Sequence, residues 1–303
     1  MSAVSGEHEA PMPKGLGIYH KAGSLHAERR WALWSAYISL IVAAIVMLAP
    51  PFYMLLTALK TSAEVADLAG NPWIVKNPTL ENFSAIISNP MFRGFFWNSI
   101  IVTAAVVVLT MLISVPAAFA LSRMKFWGSG FLATGVFLTY LVPDTLLFIP
   151  LYQIVGSVGL LNSVWGLVLV YPTLTVPFCT WIMIGYFASI PKELDEAALI
   201  DGAGWLQMLW RIFIPVALPG IIAATIFAFT VSWAAFVYPT AFITRPDEMP
   251  LTIGVVSQLI RGDTFAWGQL MAGALLAALP PVVVYAFLMD YYVAGLTAGA
   301  TKG

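Results

Sequence analysis

Long apolar runs separated by short polar stretches dominate this 303-residue chain. A helix of about 20 apolar residues crosses the hydrocarbon core of a bilayer, and six stretches reach that length, at about residues 31–59, 98–121, 131–150, 164–187, 218–243 and 267–293. Charged residues make up only 10% of the chain, whereas about a quarter of the residues in soluble domains are charged. The sequence therefore predicts an all-α polytopic membrane protein with six transmembrane helices.

The sequence predicts three parts of the chain: an N-terminal tail, a transmembrane domain and a C-terminal tail. Residues 1–30 are polar and rich in Gly, Pro and charge, which is typical of a flexible tail. Residues 31–293 form the predicted transmembrane domain, whose first apolar run is too long for a signal peptide, and residues 294–303 form a glycine-rich tail. Six spans put both tails on one side, which then carries nine of the 14 Lys and Arg residues, so the positive-inside rule favours cytoplasmic termini.

The longest polar interruption in the second half of the chain is the loop between the fourth and fifth spans, residues 190–217. Pro191 suits a first helical turn, and the acidic residues after it complement the N-terminal end of a helix dipole. Leu194, Ala197 and Ala198 share one helix face, and the two small alanines would let a partner surface approach closely. The pattern predicts a short docking helix.

A second short helix is predicted in the same loop. Gly202 interrupts the first helix, and Pro215 is expected to end the second one. Between them the apolar residues recur at helical spacing, which indicates one buried face. This stripe consists of Trp205, Met208, Leu209 and Ile212.

The loop resembles the cytoplasmic loop of permease subunits of ATP-driven importers. Their signature is Glu-Ala-Ala, a Gly six positions after the Glu, nine further residues and then Ile-x-Leu-Pro. The resemblance implies that Glu196 to Gly202, including Asp201, inserts as a coupling helix into a groove on an ATPase. An amphipathic loop on the membrane surface is the alternative interpretation. The matching residues are Glu196, Ala197, Ala198, Gly202, Ile212, Ile214 and Pro215, with Ile in place of Leu at position 214.

Other stretches resemble the carbohydrate-uptake group of these permeases, and its maltose-type members in particular. They match an external-loop motif, the start of the second span, the third external turn and the C-terminal ending of that group. The resemblance extends from about residue 31 to the end of the chain. The matching stretches are residues 77–83, 98–99, 150–152, 159–162 and 295–303.

The resemblance implies a heteromeric importer in the inner membrane of a bacterium or archaeon. The partners would be a second permease subunit, a pair of ABC ATPases and an extracytoplasmic solute-binding protein, with lipid around the spans. It also implies a contact between the C-terminal tail and the ATPases, for which Gly299 and Lys302 are the candidate residues. This chain would bind no cofactor, because ATP would be used by the ATPase subunits.

Catalytic and metal-binding patterns are absent from the sequence. It contains no Gly-x-x-x-x-Gly-Lys-Ser/Thr loop for ATP and no His-Glu-x-x-His or Gly-x-Ser-x-Gly motif. The single cysteine, Cys179, lies in an apolar run, and the three histidines lie within the first 30 residues. A net charge of −1 gives no reason to expect a nucleic-acid partner. The sequence therefore predicts a transport subunit without an ATPase, catalytic or metal site.

Four residues are candidates for a solute path, because sugars are commonly held by aromatic faces and neutral hydrogen-bonding groups. Purely structural roles remain open for these residues. Asp144 also suits a helix cap, and Trp and Tyr are typical of membrane interfaces. The fifth span has Trp-Ala-Ala-Phe at residues 233–236, where the family it resembles usually has Trp-Asn-Glu/Asp-aromatic, which favours the second permease subunit as the main solute site. The candidates are Asp144, Trp233, Tyr238 and Thr240.

Two functions are consistent with the sequence. One is a permease subunit that moves a sugar, a sugar alcohol or a related small polar solute, such as glycerol phosphate, into the cytoplasm. The alternative is a stand-alone ion-coupled transporter or channel, a class that usually has ionisable residues at mid-membrane or two related halves. The sequence shows neither feature, so it favours the importer.

Overall fold

A computed structural model describes residues 22–67, 69–124, 126–261 and 264–300, without the side chains of residues 22–28, 261, 264–265 and 289–300. The chain divides into two compact units, Met1–Phe52 and Tyr53–Gly303. Within the described residues the secondary structure is helical except for two strands of two residues each. The predicted all-α fold is therefore confirmed.

Helix α1 (Ala22–Ala58) begins in the first unit. A flexible tail was expected up to residue 30, but residues 22–30 are helical, because Ala, Leu, Glu and Arg in this stretch all favour helix. Residues 1–21 of the predicted tail lie outside the described residues. The apolar side chains of this unit, such as Leu40 and Met47, are exposed, as expected for a helix whose solvent is lipid.

The second unit holds the remaining helices. A two-residue antiparallel hairpin pairs Ile260 with Phe265 and Arg261 with Thr264. In chain order the elements are α2 (Ser62–Ala66), α3 (Glu81–Ser88), α4 (Pro90–Arg123), α5 (Ser129–Tyr140), α6 (Asp144–Ser157), α7 (Val164–Val170), α8 (Pro172–Ser189), α9 (Glu193–Ile200), α10 (Trp205–Met208), a π-helical turn (Leu209–Phe213), α11 (Ile214–Val216), α12 (Leu218–Ala234), α13 (Val237–Phe242), a 3-10 turn (Pro246–Glu248), α14 (Leu251–Leu259), β1 (Ile260–Arg261), β2 (Thr264–Phe265) and α15 (Trp267–Ala300).

Four helices among the described residues are long and apolar enough to cross a membrane, and two bent helix pairs raise this number to six. The straight spans are Arg29–Ala58, Pro90–Arg123, Val164–Ser189 and Trp267–Leu288. The bent pairs are α5 with α6, at 95°, and residues 205–216 with α12, at 82°. The first bent pair covers the third predicted span, whereas the second joins the end of the predicted loop to α12, the first part of the fifth predicted span.

The third predicted span, residues 131–150, is broken in its middle. Helix α5 ends at Tyr140 and α6 begins at Asp144. Pro143 disfavours helical geometry in the residue before it and has no N–H to donate. The chain closes α5 with tight turns instead, in which Leu141 N donates to Leu138 O and Val142 N donates to Thr139 O.

The fifth predicted span, residues 218–243, is also interrupted. Helix α12 ends at Ala234 and α13 begins at Val237. A proline cannot donate to the carbonyl four residues before it, and its ring collides with that carbonyl in a regular helix. For Pro239 this carbonyl belongs to Ala235, and it accepts a hydrogen bond of 3.0 Å from Thr252 Oγ1 instead.

The last helix is longer than the sequence predicts. A tail was expected from residue 294, but α15 continues through this region to Ala300. Alanine and leucine around the two glycines of this stretch, Gly295 and Gly299, favour the helix, although glycine itself disfavours it.

Apolar side chains of the second unit are buried in two clusters that lie along α4. The first packs the N-terminal half of α4, including Val102 and Val106, against α7 and α12–α14. The second packs the C-terminal half of α4, including Val115 and Phe119, against α8, α12 and residues 193–216, which we call the α9–α11 segment. Helix α4 therefore connects this segment to the rest of the second unit.

Replacing Gly254 of α14 by Ala should destabilise the fold. A Cβ atom at this position would lie 2.4 Å from the ring of Phe95, which is 1% exposed and has no room to move. Overpacking of this kind costs about 1–3 kcal/mol. We expect the melting temperature of the purified protein in detergent to fall by several degrees, as measured by thermal unfolding followed by size-exclusion chromatography.

Gly135→Ala in α5 is the matched control, because a Cβ atom there would meet no other atom within 4 Å. Alanine is favoured over glycine in a helix by about 1 kcal/mol, so this variant should melt at or slightly above the wild-type temperature. Equal melting temperatures for Gly254→Ala and the wild type would contradict the close packing of α14 on α4.

Candidate functional site

The first half of the α9–α11 segment is a helix with defined ends. Its first turn carries Glu193, Asp195 and Glu196, where negative charge stabilises the N-terminal end of the helix dipole. At its C-terminal end, Ala203 N donates to Ala198 O over 2.9 Å and Gly202 N donates to Leu199 O over 3.1 Å. This pair of bonds forms a Schellman motif, which requires a left-handed residue after the helix.

Gly202 provides this left-handed residue, with a φ angle of +77°. Most residues with a side chain would be strained there, and Gly is the usual choice. A Cβ atom at Gly202 would nevertheless meet no atom of the described residues within 4 Å, apart from its two chain neighbours. The glycine therefore ends α9 and leaves open space beside it.

The second half of the segment differs from the expected regular helix. A π-helical turn lies between α10 and α11, and in it Ile214 N donates to Leu209 O, five residues back. Pro215 was expected to end this helix, but the helix continues to Val216, and the break comes at Ala217. Because Pro215 has no N–H, it cannot complete the regular pattern, which is consistent with the widened turn before it.

The buried residues of the segment do not coincide with the predicted apolar stripe, and its exposed face also carries apolar side chains. Met208, Leu209 and Phe213 are buried, and Ile212 is half-buried. Ala198 is buried at 4% exposure in the same cluster, so it packs on this chain and is closed to a partner. The outward-facing residues are Leu194, Glu196, Ala197, Leu199, Ile200, Asp201, Trp205, Leu206 and Trp210.

Arg123, the last residue of α4, holds the start of this segment. Its guanidinium is 4% exposed, and Nη1 lies 3.0 Å from Oδ2 of Asp195 in α9. Its Nη2 donates to the carbonyl oxygens of Phe187 and Ile190 at the end of α8. A cation at this place satisfies carbonyls that a helix end leaves free.

An aromatic cluster supports the same junction. The rings of Phe119, Phe187 and Phe213 lie 5.0–6.0 Å apart in edge-to-face arrangements. Aromatic pairs prefer this geometry. Cζ of Arg123 is 4.9 Å from the centre of the Phe213 ring, within cation–π range. One side chain from each of α4, α8 and the α9–α11 segment thus meets beneath the arginine.

Sequence patterns count Arg123 only among the positive charges on the side of the termini and do not identify it as a site residue. The available signal was a single arginine at the end of a long apolar run, with an acidic helix start elsewhere in the chain. Pairing the two requires knowledge of which helices are neighbours, and hydropathy alone does not provide it.

The four candidates for the solute path occupy different environments. Trp233 is 5% exposed, donates from Nε1 to Ala277 O over 2.9 Å and stacks on Phe229, so its ring offers no open face to a solute. Tyr238 is 2% exposed, and its hydroxyl donates to the backbone oxygen of Asp144 over 2.8 Å. The structure therefore brings Asp144 and Tyr238 together as a link between α6 and α13.

The other two candidates are accessible. Asp144 is exposed, and its Oδ1 accepts a hydrogen bond of 2.8 Å from the backbone of Thr145, as a carboxylate at a helix start commonly does. Thr240 is exposed on α13, and its hydroxyl donates to Phe236 O over 2.7 Å. The interruption between α12 and α13 also exposes Phe236 and Val237.

Three polar residues of the stretches that resemble carbohydrate-uptake permeases, two of them near the N-terminal end of α4, bind the loop between α13 and α14. Asn98 Nδ2 donates to the carbonyls of Asp247 and Met249, and Ser99 Oγ accepts a bond of 2.8 Å from Leu251 N at the start of α14. Asn162 Oδ1 accepts bonds from the backbone and the hydroxyl of Thr244. These amide and hydroxyl groups fix the loop between α13 and α14 and need no ligand to account for their presence.

The same loop carries an exposed ion pair between Arg245 and Asp247. The hydrogen bond from the guanidinium holds the pKa of Asp247 below its ordinary value and raises the pKa of Arg245. Both side chains are more than half exposed, so this pair contributes little to stability.

The two residues predicted to contact a partner at the C-terminus lie at the end of the chain. Gly299 lies in the last turns of α15, and Lys302 lies outside the described residues. Among the described residues no group of three or more His, Cys, Asp or Glu side chains is placed to hold a metal ion.

The chain is similar in sequence to a family of transport proteins and to individual permease proteins. Residues 82–297 match the family model described as binding-protein-dependent transport system inner membrane component. The chain is 33% identical over 255 residues to the sulfoquinovosyl glycerol transport system permease protein of Agrobacterium fabrum, covering 84% of this chain and 88% of the relative. It is 32% identical to the trehalose/maltose transport system permease protein of Thermococcus litoralis, covering 88% and 95%.

A solved structure has the same fold. The crystal structure of a bacterial ABC transporter involved in the import of alginate contains a chain that superposes with a TM-score of 0.75 at 21% identity, covering 88% of this chain and 98% of that one. The family match includes the whole α9–α11 segment and all four candidates for the solute path. This chain belongs to the family of binding-protein-dependent transport system inner membrane components.

Proposed function

We propose that this chain is a permease subunit of an ABC importer and forms part of the path by which a sugar, a sugar alcohol or a related polar solute enters the cytoplasm. Family membership supports a multi-pass subunit of the inner membrane. The names of relatives that transport trehalose, maltose or a sulfoquinovosyl glycerol support a carbohydrate-like solute. The partners we propose are a second permease subunit, an ATPase pair and an extracytoplasmic binding protein.

One observation carries the assignment of the docking surface. The inner face of the α9–α11 segment is fixed to α4 and α8, whereas its outer face presents apolar side chains that no described part of the chain covers. Ile200 is 87% exposed and Leu206 is 71% exposed, next to the open space at Gly202. An exposed apolar patch rimmed by acidic residues is typical of a protein-binding surface.

The charge distribution orients this surface. With cytoplasmic termini, as the positive-inside rule favours, the α9–α11 segment lies in the compartment where ATP is available. ATP would be bound and hydrolysed by the partner ATPases, with no cofactor on this chain. Gly299 and Lys302 are proposed as a second contact with these subunits.

Transport then follows from a difference in docking between two conformations. A partner shifts a conformational equilibrium only to the extent that it binds the two states differently. The α9–α11 segment packs in the cluster that contains the C-terminal halves of α4 and α8, so a displacement of α9 reaches both helices directly. The interrupted helices α5–α6 and α12–α13 offer places at which the path can open and close.

The test of this proposal is purification of the tagged chain from its native cells under gentle solubilisation. We expect an ATPase, a second permease and a solute-binding protein to be recovered with it, and screening of that binding protein identifies the solute. Recovery of the chain alone, together with uptake that persists without ATP, would contradict the proposal and favour an ion-coupled transporter.

Gly202→Asn is a specific test of the docking surface. Asparagine tolerates left-handed geometry better than most residues, and no atom of this chain obstructs a side chain there, so the fold should be kept. A side chain in a closely packed partner groove costs about 1–3 kcal/mol, and we expect the ATPase recovered with the chain to fall by about 5- to 150-fold.

Gly128→Asn is the matched control for this variant. Gly128 also has a positive φ angle, +84°, and a Cβ atom there meets nothing within 4 Å, but it lies at the start of α5. It should retain the wild-type amount of ATPase. Equal retention by Gly202→Asn would show that the space beside Gly202 is not a partner surface.

Three substitutions in the proposed solute path should differ in whether they change stability or the solute concentration for half-maximal uptake. Tyr238→Phe removes an internal hydrogen bond, so it should lower stability by about 0.5–1.5 kcal/mol and leave the solute concentration for half-maximal uptake unchanged. Asp144→Asn and Thr240→Val alter exposed polar groups, and each should raise that concentration by roughly two- to tenfold if one solute hydrogen bond is lost. Uptake by reconstituted complexes measures it, and unchanged values for both exposed positions would remove them from the path.

A further inference from the structure

Arg123 joins three segments of the chain at one point: the end of α4, the end of α8 and the start of α9. Its two terminal nitrogens bond to Asp195, Phe187 and Ile190. We infer that Arg123 is a positioning residue that makes α9 move together with α4 and α8, so that a displacement of α9 is transmitted to the membrane helices. The inference rests on the proposed docking of the α9–α11 segment on an ATPase.

Apart from the bonds of Arg123, the described side-chain contacts of the segment are apolar. Ala198, Met208 and Phe213 pack in an apolar cluster, and apolar burial is non-directional, so it resists separation more than sliding. Hydrogen bonds and charged pairs weaken steeply when their angle changes. The bonds of Arg123 therefore supply the directional part of the junction.

The ion pair itself connects distant parts of the sequence. Two ion pairs occur among the described residues, and the other one, between Arg245 and Asp247, lies within a single turn of a loop. The Arg123–Asp195 pair joins the end of one long helix to the proposed docking helix, 72 residues further along the chain. It is the described ion pair that can pass a force between helices.

Stability alone does not account for this arrangement. Nε of Arg123 and Oδ1 of Asp195 are buried and have no hydrogen-bond partner among the described residues, and unsatisfied buried groups oppose folding. An apolar replacement of a buried ion pair is often as stable as the pair. A guanidinium, however, places several donors in one rigid plane and can bind acceptors on different segments at once.

The test uses the complex recovered from native cells and reconstituted in proteoliposomes. Val237→Cys at the start of α13 serves as a reporter, because Val237 is exposed and is not a solute-path candidate, and the native Cys179 is buried. The rate of labelling by a maleimide is measured with and without ATP, and ATP hydrolysis is measured in parallel. In the parent complex we expect ATP to change the labelling rate, which needs no knowledge of the solute.

Arg123→Lys and Asp195→Asn are then added to the reporter chain. Lysine keeps the charge but has a single nitrogen, which cannot span the same acceptors, and Asp195→Asn leaves the bonds to the two carbonyls in place. We expect both variants to keep the ATPase and to hydrolyse ATP, while the ATP-dependent change in labelling falls several-fold but stays measurable. Arg93→Gln, at the exposed opposite end of α4, is the control and should behave like the parent.

A double variant separates this role from direct docking. If Asp195 acts through Arg123, then Arg123→Lys combined with Asp195→Asn should lose no more than Arg123→Lys alone, because the two share one contact. Independent, multiplying losses would mean that Asp195 acts on the partner itself, and this would overturn the inference.

The two proposals fail in different ways. A parent complex whose α13 labelling does not respond to ATP contradicts the proposed function, and the inference falls with it. A parent that responds, with Arg123→Lys and Asp195→Asn responding equally well, overturns only the positioning role. Loss of the ATPase from both variants also overturns it, because the pair would then serve folding or docking.

Discussion

The seam between α4 and α8 is the interaction on which the rest of the second unit depends. Where the C-terminal halves of the two helices pack together, the buried side chains of the seam are Val115, Phe119, Met183 and Phe187. Thr110 and Thr175 exchange a hydrogen bond of 2.6 Å near its middle, the type of polar contact that associates helices in membranes, where apolar attraction between helices is weak. The seam ends at Arg123, where one guanidinium replaces apolar packing. Both buried clusters, and therefore both candidate sites, are attached to this pair of helices.

The seam places the two sites under one mechanical constraint. At one end the α9–α11 segment is held by Arg123, and at the other the interrupted α12–α13 helix packs in the cluster that contains Val102 and Val106 of α4. Close packing resists gradual deformation, so such regions tend to move as bodies between discrete arrangements. The interruptions at Pro143 and Pro239 lie outside the seam, and bending is easiest there, where helical hydrogen bonds are already missing.

Sequence patterns were sufficient for the fold class and for the helix that Gly202 ends in the loop between α8 and α12, because apolar length and glycine chemistry are local properties. They were not sufficient for the interruptions. Whether Pro239 merely kinks a helix or ends it depends on another group satisfying the carbonyl of Ala235, and that group, Thr252, is distant in the sequence. Trp233 was chosen for its chemistry, but its burial against Phe229 and Ala277 follows from tertiary packing. Arg123 was missed for the same reason, since its partners come from other helices.

The Glu-Ala-Ala pattern is better understood as a two-sided helix than as one partner-facing stripe. Ala198 is buried against this chain, whereas its neighbour Ala197 faces outward. Adjacent helical residues differ in direction by about 100°, so two small residues in succession make α9 narrow on both sides. In the proposed docking, a narrow helix brings its own core and the partner close together, with Asp195 and Arg123 on the inner side. Under this proposal, a larger residue at either position would separate the partner from α4 and weaken the proposed transfer of movement.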